Sequence, residues 1–168
     1  FLDSPSFQFG AGNFTIECWA YFNSVPTTAG NHNGILSIDY ILGTRGSLLL
    51  TNGDNGGLIS FAIYSGATLY SVSSLAVPSI NTWYHIAAVR NGTSLTLYVN
   101  GVLQNTTAVS TTSFNTVTQA HFIGALNNGG SPLVNSYMNG YIDDLRITKG
   151  VARYLTNFTP PQVALPNQ

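Results

Sequence analysis

The residues of this chain best suited to acid–base chemistry are its six carboxylic acids. They are Asp3, Glu17, Asp39, Asp54, Asp143 and Asp144. Hydrolysis of a glycosidic bond usually needs two carboxyl groups, about 5 to 9 Å apart, on either side of the bond. Asp143 and Asp144 are adjacent, so on a strand their side chains point to opposite faces. Because a catalytic pair would have to come from distant loops, the sequence predicts that the protein is not an enzyme.

Residues that could bind zinc are few and far apart. The three histidines, His32, His85 and His121, are separated by dozens of residues, and none has a cysteine or a second histidine at the spacing of a zinc site. His85 shares a strand face with Trp83 and is interpreted as a buried core or second-layer histidine. His32, in a loop of glycine and asparagine, is predicted to face solvent. Cys18, the single cysteine, lies between apolar residues and is interpreted as a buried structural thiol.

The segment 51–57, Thr-Asn-Gly-Asp-Asn-Gly-Gly, carries oxygen-bearing side chains at alternate positions. Asn52 and Asp54 faintly resemble part of a calcium-binding loop, since calcium prefers carboxylate, amide and carbonyl oxygens. The segment lacks the downstream glutamate of helix–loop–helix calcium sites. Asparagine, aspartate and glycine are also the residues that tight turns require. An ordinary hairpin loop is therefore the favoured interpretation.

The elements that must position these residues are β-strands. Between residues 83 and 101, two runs of alternating apolar residues flank Asn91-Gly92, and Asn100-Gly101 follows the second run. Alternation with a period of two indicates strands, and Asn-Gly pairs favour hairpin turns, so this segment is predicted to be a three-stranded meander. Comparable runs recur along the whole chain. The predicted strands are Phe14–Phe22, Gly34–Ile38, Ser47–Thr51, Leu58–Tyr64, Thr68–Ser73, Trp83–Arg90, Ser94–Asn100, Val102–Asn105, Ala120–Gly124 and Gly140–Thr148.

This pattern predicts an all-β protein, a two-sheet antiparallel β-sandwich. Trp19 and Trp83 are expected in the core between the sheets. No amphipathic helix of useful length is predicted, although Lys149–Tyr154 could form one helical turn. The length of 168 residues favours one domain. We place that domain at residues 1–156 and interpret the proline-containing tail, 157–168, as an extended strap or the start of a linker.

Composition narrows the possible partners. Charged residues make up 7% of the chain and the net charge is −1, against about 25% charged residues in ordinary globular domains. Nucleic-acid binding requires clustered lysine and arginine, so this composition argues against it. No apolar run approaches the roughly 20 residues that span a bilayer, and no signal-peptide pattern begins the chain. An exported protein would therefore need a targeting signal outside this sequence.

Three segments together resemble the laminin-G-like, or concanavalin A-like lectin/glucanase, jelly-roll superfamily. They are FGAGNFTIECWAYF at 9–22, NTWYHIAAVRNGTSLTLYVNG at 81–101, and FIGALNNGG with MNGYIDDLRITKGVARYLTNFTPP within 122–161. The closing pattern looks like versions found in phage and marine microbial structural proteins. Members of the superfamily usually begin with a strand before the segment that corresponds to residues 1–3. The resemblance therefore implies either that this sequence is part of a longer protein, or that an edge strand is missing or supplied by a neighbouring chain. A missing strand would leave an exposed sheet edge that another chain could pair with.

The resemblance also implies where ligands bind. Members often use the first aspartate of the motif YIDDLRI to hold a structural calcium ion against backbone carbonyls near the chain start, which makes Asp143 the candidate metal ligand. The alternative is that Asp143 pairs with Arg146 or caps a turn. Sugar binding in such folds uses loop amides, an aspartate and an aromatic ring at one rim. The candidate ligand-binding residues are Asp54, Asn127, Asn128 and Tyr137.

These observations lead to three functional hypotheses. The leading one is a non-catalytic module of an extracellular or virion-surface protein that binds glycans or mediates adhesion through rim loops. The second is a structural decoration or assembly subunit of a phage capsid, tail fibre or extracellular filament, whose partners are other structural subunits. The third is a glycoside hydrolase. Hydrolases of the superfamily place several carboxylates at alternate positions of one strand, and Glu17 has Thr15 and Trp19 as its same-face neighbours.

Overall fold

The computed structural model describes residues 9–41, 45–65, 67–109, 111, 114 and 120–163, which form twelve β-strands. The strands are β1 (Phe14–Phe22), β2 (His32–Ile41), β3 (Arg45–Asn52), β4 (Leu58–Ser65), β5 (Thr68–Ser73), β6 (Trp83–Asn91), β7 (Ser94–Val99), β8 (Val102–Ala108), β9 (His121–Ile123), β10 (Asn127–Asn128), β11 (Ser131–Pro132) and β12 (Gly140–Lys149). A single turn of 3-10 helix, Gly53–Asn55, follows β3. Among these residues, no helix has the length and apolar character needed to cross a bilayer.

Two five-stranded antiparallel sheets contain most of these strands. Sheet I has the order β12-β1-β6-β7-β8, and sheet II has the order β5-β4-β3-β2-β9. The strands β10 and β11 pair with each other as a small hairpin. The predicted fold class, an all-β sandwich of two antiparallel sheets, is confirmed.

The core lies between the two sheets. Every second residue of β1 points into it and is fully buried, as the period of a strand requires. These residues are Phe14, Ile16, Cys18, Ala20 and Phe22. Leu49 and Phe61 of sheet II belong to the same buried cluster, and burial of each large apolar side chain contributes about 1.5 to 3 kcal/mol. Burial, together with the nearby charge of Glu17, raises the pKa of Cys18 to about 12, so the interpretation of Cys18 as a buried thiol is confirmed.

Strand positions largely agree with the prediction, since β1 and β5 have the predicted bounds. The hairpin β10–β11 has no counterpart among the predicted strands. The predicted helical turn at Lys149–Tyr154 is wrong. Its backbone bonds to β1 instead: the Thr15 hydroxyl donates to the carbonyl of Val151 over 3.0 Å and accepts from the N–H of Arg153 over 2.9 Å.

The two tryptophans are not core residues, so that prediction is also wrong. Trp83 is 41% exposed and Trp19 is half-buried. Trp19 alternates with the inward-pointing Cys18 and Ala20, so it lies on the outer face of sheet I. Trp83 is near Trp19 on that same face, because both line one pocket.

Candidate functional site

The outer face of sheet I carries side chains arranged in rows across neighbouring strands. Tyr21 of β1 pairs with Tyr141 of β12 on one side and with Trp83 of β6 on the other. The ring centroid of Tyr21 lies 5.6 Å from that of Tyr141 and 5.5 Å from that of Trp83. Directly facing residues of antiparallel strands are the closest neighbours on a sheet face, which explains these contacts. Because Tyr141 is 61% exposed, this aromatic row is open to solvent.

A second row lies next to the first. Trp19 of β1 pairs with Asp143 of β12 and with His85 of β6. The rings of Trp19 and His85 meet edge to face, with centroids 5.3 Å apart. His85 is buried and Asp143 is exposed. The interpretation of His85 as a buried histidine is thus confirmed. The row consists of an exposed carboxylate at the sheet edge, the indole of Trp19 and the buried imidazole of His85.

A β-bulge in β12 changes where the two aspartates point. The register shifts between the pairs Glu17–Arg146 and Trp19–Asp143, so β12 has one residue more than β1 over this stretch. Asp144 adopts a φ of 48°, and its N–H donates to Oδ1 of Asp143 over 2.8 Å. A bulge interrupts the alternation of side chains. Both aspartates therefore line one pocket, and the prediction that they point to opposite faces is wrong.

The pocket has a volume of about 340 Å³ and opens on the outer face of sheet I. Its lining combines two indole rings, two carboxylates and one amide with apolar side chains from the C-terminal segment. The lining residues are Trp19, Trp83, Asp143, Asp144, Pro161, Gln162 and Val163.

This lining suits a ligand that has an apolar face and several hydroxyl groups. Indole rings present flat apolar surface, on which the C–H face of a sugar ring can pack. A carboxylate has only acceptors, so Asp143 and Asp144 can accept hydrogen bonds from hydroxyl groups, and such charge-assisted bonds are the stronger kind. The amide of Gln162 can both donate and accept. Apolar surface with a few polar groups that orient the ligand is the usual composition of a small-molecule site.

The calcium hypothesis for Asp143 combines its carboxylate with backbone carbonyls near the chain start. The described residues contain no group of three or more His, Cys, Asp or Glu side chains that could hold a metal ion. Residues 1–8, at the start of the sequence, lie outside the described residues. The assignment of calcium to Asp143 stays a prediction.

Beyond the pocket, the same face is covered by residues 151–163, which begin before the predicted tail 157–168 and which we call the strap from here on. The strap is anchored on Glu17, whose side chain is fully buried. One carboxylate oxygen accepts hydrogen bonds from Nε and Nη2 of Arg146 over 2.9 and 2.7 Å. The other accepts from the hydroxyl of Tyr154 over 2.6 Å and lies 3.3 Å from Nε2 of His85. Glu17 thus connects β1, β12, β6 and the strap.

These contacts keep Glu17 ionised. Burial by itself would raise the pKa of Glu17, but the nearby imidazole of His85, the hydrogen bonds from Tyr154 and Arg146, and the charge of Arg146 outweigh it and hold the pKa below its usual value. Burial and the bond to Glu17 raise the pKa of Tyr154 to about 12. A charged carboxylate enclosed by donors binds the strap to the sheet.

The partners of two polar residues go beyond the sequence prediction. Arg146 bonds to Glu17, whereas the sequence left open a pair between Arg146 and Asp143. His85, predicted only to be a buried histidine, lies in the network around Glu17. Both contacts follow from the pairing of β1 with β12 and β6, which brings these residues together.

Aromatic stacking completes the anchoring of the strap. The rings of Tyr154 and Phe158 are parallel, with centroids 3.6 Å apart, and Phe158 meets the rings of His85 and Tyr98 edge to face. The N–H of Phe158 donates to the carbonyl of Gly101 over 2.9 Å. Gly101 has a φ of 76°, and a Cβ at this position would collide with the carbonyl oxygen of Phe158. Glycine at 101 therefore permits the strap to approach the β7–β8 turn.

Asp54 lies in the loop that joins β3 and β4, so the interpretation of residues 51–57 as a hairpin loop is confirmed. Oδ1 of Asp54 accepts from the N–H of Gly30 over 2.8 Å, and Oδ2 lies 3.8 Å from Nε2 of His32. The side chain of His32 is 11% exposed, so the prediction that it faces solvent is wrong. Burial lowers the pKa of His32, although the charge of Asp54 opposes this effect.

The other predicted sugar-binding residues lie around the hairpin β10–β11. Asn127 is fully buried: its amide nitrogen donates to the carbonyl of Ala120 over 2.7 Å, and its side-chain oxygen accepts from the N–H of Gly130 over 2.7 Å. These bonds give Asn127 a structural role in the loop. Asn128 and Tyr137 are exposed, Tyr137 by 60%.

Sequence reasoning did not assign Trp19, Trp83 or Gln162 to a site, and it preferred Asp143 to Asp144 as a ligand. A signal for Trp19 was present, because Trp19 alternates with Glu17, and a glutamate on one strand face marks that face as polar. No comparable signal marks Gln162, which reaches the pocket through the path of the strap.

With this geometry established, the comparisons with known proteins identify the class. The chain belongs to the concanavalin A-like lectin/glucanases superfamily, whose family model matches residues 1–153. No curated protein matches the sequence significantly.

Several solved structures share the fold. A candidate carbohydrate-binding protein from Bacteroides ovatus ATCC 8483 matches with a TM-score of 0.64 at 19% identity, over 86% of this chain and 39% of that chain. CBM40 of the Ruminococcus gnavus IT-sialidase matches with a TM-score of 0.64 at 16% identity, over 85% of this chain and 79% of that chain. Domain 4 of AbnA, a GH43 extracellular arabinanase from Geobacillus stearothermophilus solved with arabinotriose, matches with a TM-score of 0.64 at 18% identity, over 87% of this chain and 64% of that chain. At such identities the likeness shows the fold alone.

Proposed function

We propose that this chain is a non-catalytic, glycan-binding module of an extracellular or virion-surface protein. The observation that carries the proposal is the open pocket in which Trp19 and Trp83 adjoin Asp143 and Asp144. Aromatic surface beside hydrogen-bond acceptors matches the two sides of a sugar, its apolar C–H face and its hydroxyl rim.

The structural relatives support the proposal by analogy. The Ruminococcus gnavus CBM40 is described as bound to α2,3- and α2,6-sialyllactose, and the AbnA domain is described in complex with arabinotriose. The same architecture therefore holds sugars in other proteins. A glycan as the partner of this chain is part of the proposal.

The non-catalytic part of the proposal depends on the arrangement of the carboxylates. Asp143 and Asp144 are consecutive residues of β12 at one edge of sheet I, so they approach a ligand from the same side. Hydrolysis needs carboxyl groups on both sides of the scissile bond. Glu17 is enclosed by Arg146 and Tyr154, and its role is to hold the strap.

A glycan array probed with the wild-type chain and the Trp83→Ala variant tests the proposal. Trp83 is 41% exposed, so its truncation should leave the fold intact and weaken glycan binding about tenfold or more, as loss of an aromatic anchor does. Leu69→Ala is the matched control, because Leu69 is 49% exposed on an edge strand of sheet II. Binding that Trp83→Ala leaves unchanged and Tyr137→Ala abolishes would move the site to the rim loops.

Assembly with other subunits is the second candidate function. Among the strands that the structure describes, β8 lies at an edge of sheet I. Its first residues, Val102 and Leu103, are 51% and 42% exposed. Leu75, 74% exposed, lies nearby, since its N–H donates to Oε1 of Gln104. Light scattering after size exclusion tests this role: stable oligomers that Leu103→Asp dissolves would support it, and a monomer at high concentration would contradict it.

A further inference from the structure

We infer that the pocket on sheet I takes uncharged saccharides and excludes sugars that carry a carboxylate. This inference rests on the proposed function and names the class of glycan. It begins from the charges of the lining: Asp143 and Asp144 are the charged residues there, and the described lining contains no lysine or arginine. A ligand in the pocket therefore meets negative charge alone.

Two arginines bond near Glu17 on this face, and neither is a lining residue of the pocket. Arg146 directs Nε and Nη2 to Glu17. Arg153 directs Nε to the hydroxyl of Thr148 over 2.8 Å, and the same atom lies 4.0 Å from Glu17. Proteins that recognise carboxylates usually employ arginine as a bidentate donor. Because neither guanidinium group lines the pocket, an acidic sugar held by the described lining residues would meet no such donor there.

Because of the bulge, two aspartates line the pocket, so carboxylated sugars should be excluded more strongly than by one aspartate alone. Because the register shift brings Asp144 into the pocket beside Asp143, two carboxylates act on a ligand that lies against Trp19. Like charges brought together in a partly desolvated site repel one another, and such repulsion is a common means of rejecting unwanted ligands. Neutral hydroxyl groups, by contrast, donate to both carboxylates.

The test uses pairs of neutral and acidic glycans. Lactose is paired with α2,3-sialyllactose, which has one additional, carboxylated sugar, and galactotriose is paired with trigalacturonic acid, which has one carboxylate on each of its three sugars; both pairs belong to a wider array of neutral and acidic glycans. Binding is measured in EDTA, so that the charges of the chain act without added cations, and at low and high salt. The wild-type chain should bind the neutral member of a pair about tenfold more tightly at low salt. High salt should reduce this ratio by screening.

Variants at the two aspartates connect the preference to the pocket. The double variant Asp143→Asn, Asp144→Asn should bring the ratio to within about twofold, because it removes both charges. Asparagine tolerates the positive φ at position 144, so the bulge is retained. Asp143→Glu preserves the charge and Leu69→Ala is remote, so both should keep the wild-type ratio.

Each outcome separates the inference from the proposed function. Equal or tighter binding of the acidic member at low salt, or a preference that the double asparagine variant leaves intact, would overturn the inference while glycan binding stands. Failure of every neutral and acidic glycan to bind would overturn the proposed function, and the inference with it.

Discussion

The carboxylate of Glu17 accepts a hydrogen bond of 2.6 Å from the hydroxyl of Tyr154, although the two residues are 137 positions apart. Glu17 lies in the first strand and Tyr154 in the strap, so a single buried carboxylate connects the two ends of the described chain. The strap also forms one wall of the pocket through Pro161 and Val163. Strap anchoring and ligand binding should therefore be coupled.

Glu17→Gln should destabilise the fold. It leaves the guanidinium of Arg146 beside a neutral amide, and breaking a buried ion pair by removing one partner costs about 3 to 5 kcal/mol. Arg146 is 18% exposed and water compensates part of this cost, so we expect a loss of about 2 to 3 kcal/mol in the free energy of unfolding. Urea denaturation measures it.

Tyr154→Phe is the matched control, since it removes one hydrogen bond to the carboxylate and retains the stack on Phe158. Its cost should be smaller, about 1.5 kcal/mol. Equal stability of the wild type and Glu17→Gln would contradict the anchoring role of Glu17.

Stability should fall at both ends of the pH range. The pKa of Glu17 is lowered below 4.5 in the folded chain, so its contribution is complete above pH 4.5 and is lost as the pH falls through the folded value. The pKa of Tyr154 is raised from 10.0 to about 12, so its contribution is complete below pH 10 and is lost as the pH rises towards 12.

Unfolding in urea across this pH range measures how the free energy of unfolding changes at acid and at alkaline pH. Glu17→Gln should reduce the loss of stability at acid pH, and Tyr154→Phe should reduce the loss at alkaline pH. If the free energy of unfolding changes with pH in the two variants as it does in the wild type, other groups control the pH dependence.

Gly101→Ala should detach the strap. A Cβ at this position collides with the carbonyl oxygen of Phe158 and also strains a φ of 76°, so we expect a loss of about 2 to 3 kcal/mol and faster proteolysis within 155–163. Gly92→Ala is the control: its φ is 57°, and nothing lies within 4 Å of its Cβ. Gly92→Ala introduces only the backbone strain of a positive φ, about 1 kcal/mol. Equal losses in the two variants would mean that the contact with Phe158 is unimportant.

Tyr141→Ala should affect long saccharides more than short ones. The row Trp83, Tyr21 and Tyr141 extends the aromatic surface from the pocket towards the edge of sheet I. Truncation of Tyr141, which is 61% exposed, should weaken a bound trisaccharide several-fold and leave a monosaccharide unchanged. Titration calorimetry with a length series of a glycan that binds measures the difference. An equal loss at every length would place Tyr141 in the primary site.

The calcium hypothesis predicts that calcium stabilises the folded chain. If Asp143 holds a structural ion, calcium added to EDTA-treated protein should raise Tm, with a gain of about 2.7 kcal/mol at one hundred times Kd. Asp143→Asn should abolish the response and Asp54→Asn should retain it. The opposite result would place the ion in the loop 51–57, and an unresponsive wild type would contradict both sites.

The prediction of the fold depended mostly on the alternation of apolar and polar residues along the strands. Strands such as β6 and β7 show period-two apolar residues next to Asn-Gly turns, and these are local signals that tertiary structure seldom overrides. Alternation does not say which face of a strand meets the core when both faces carry aromatic residues. Trp19 was misplaced for this reason, since Glu17 on the same face was the single cue that the face lies outside.

The pocket could not be predicted because it depends on pairing between distant segments. The bulge at Asp144 exists only relative to the register of β12 on β1, and no property of YIDDLRI taken alone reveals an extra residue. Likewise, the strap has no periodicity, because separate contacts to Glu17, Tyr98 and Gly101 hold it in place.

Cys18 gives the chain a built-in reporter of these changes. It is the single cysteine, is fully buried in the core and has a pKa raised to about 12, so a thiol reagent should modify the folded protein only during transient opening. The rate of labelling therefore measures how often the sandwich opens, with no introduced probe. Comparing that rate between the wild type and Gly101→Ala would show whether release of the strap loosens the sheets beneath it.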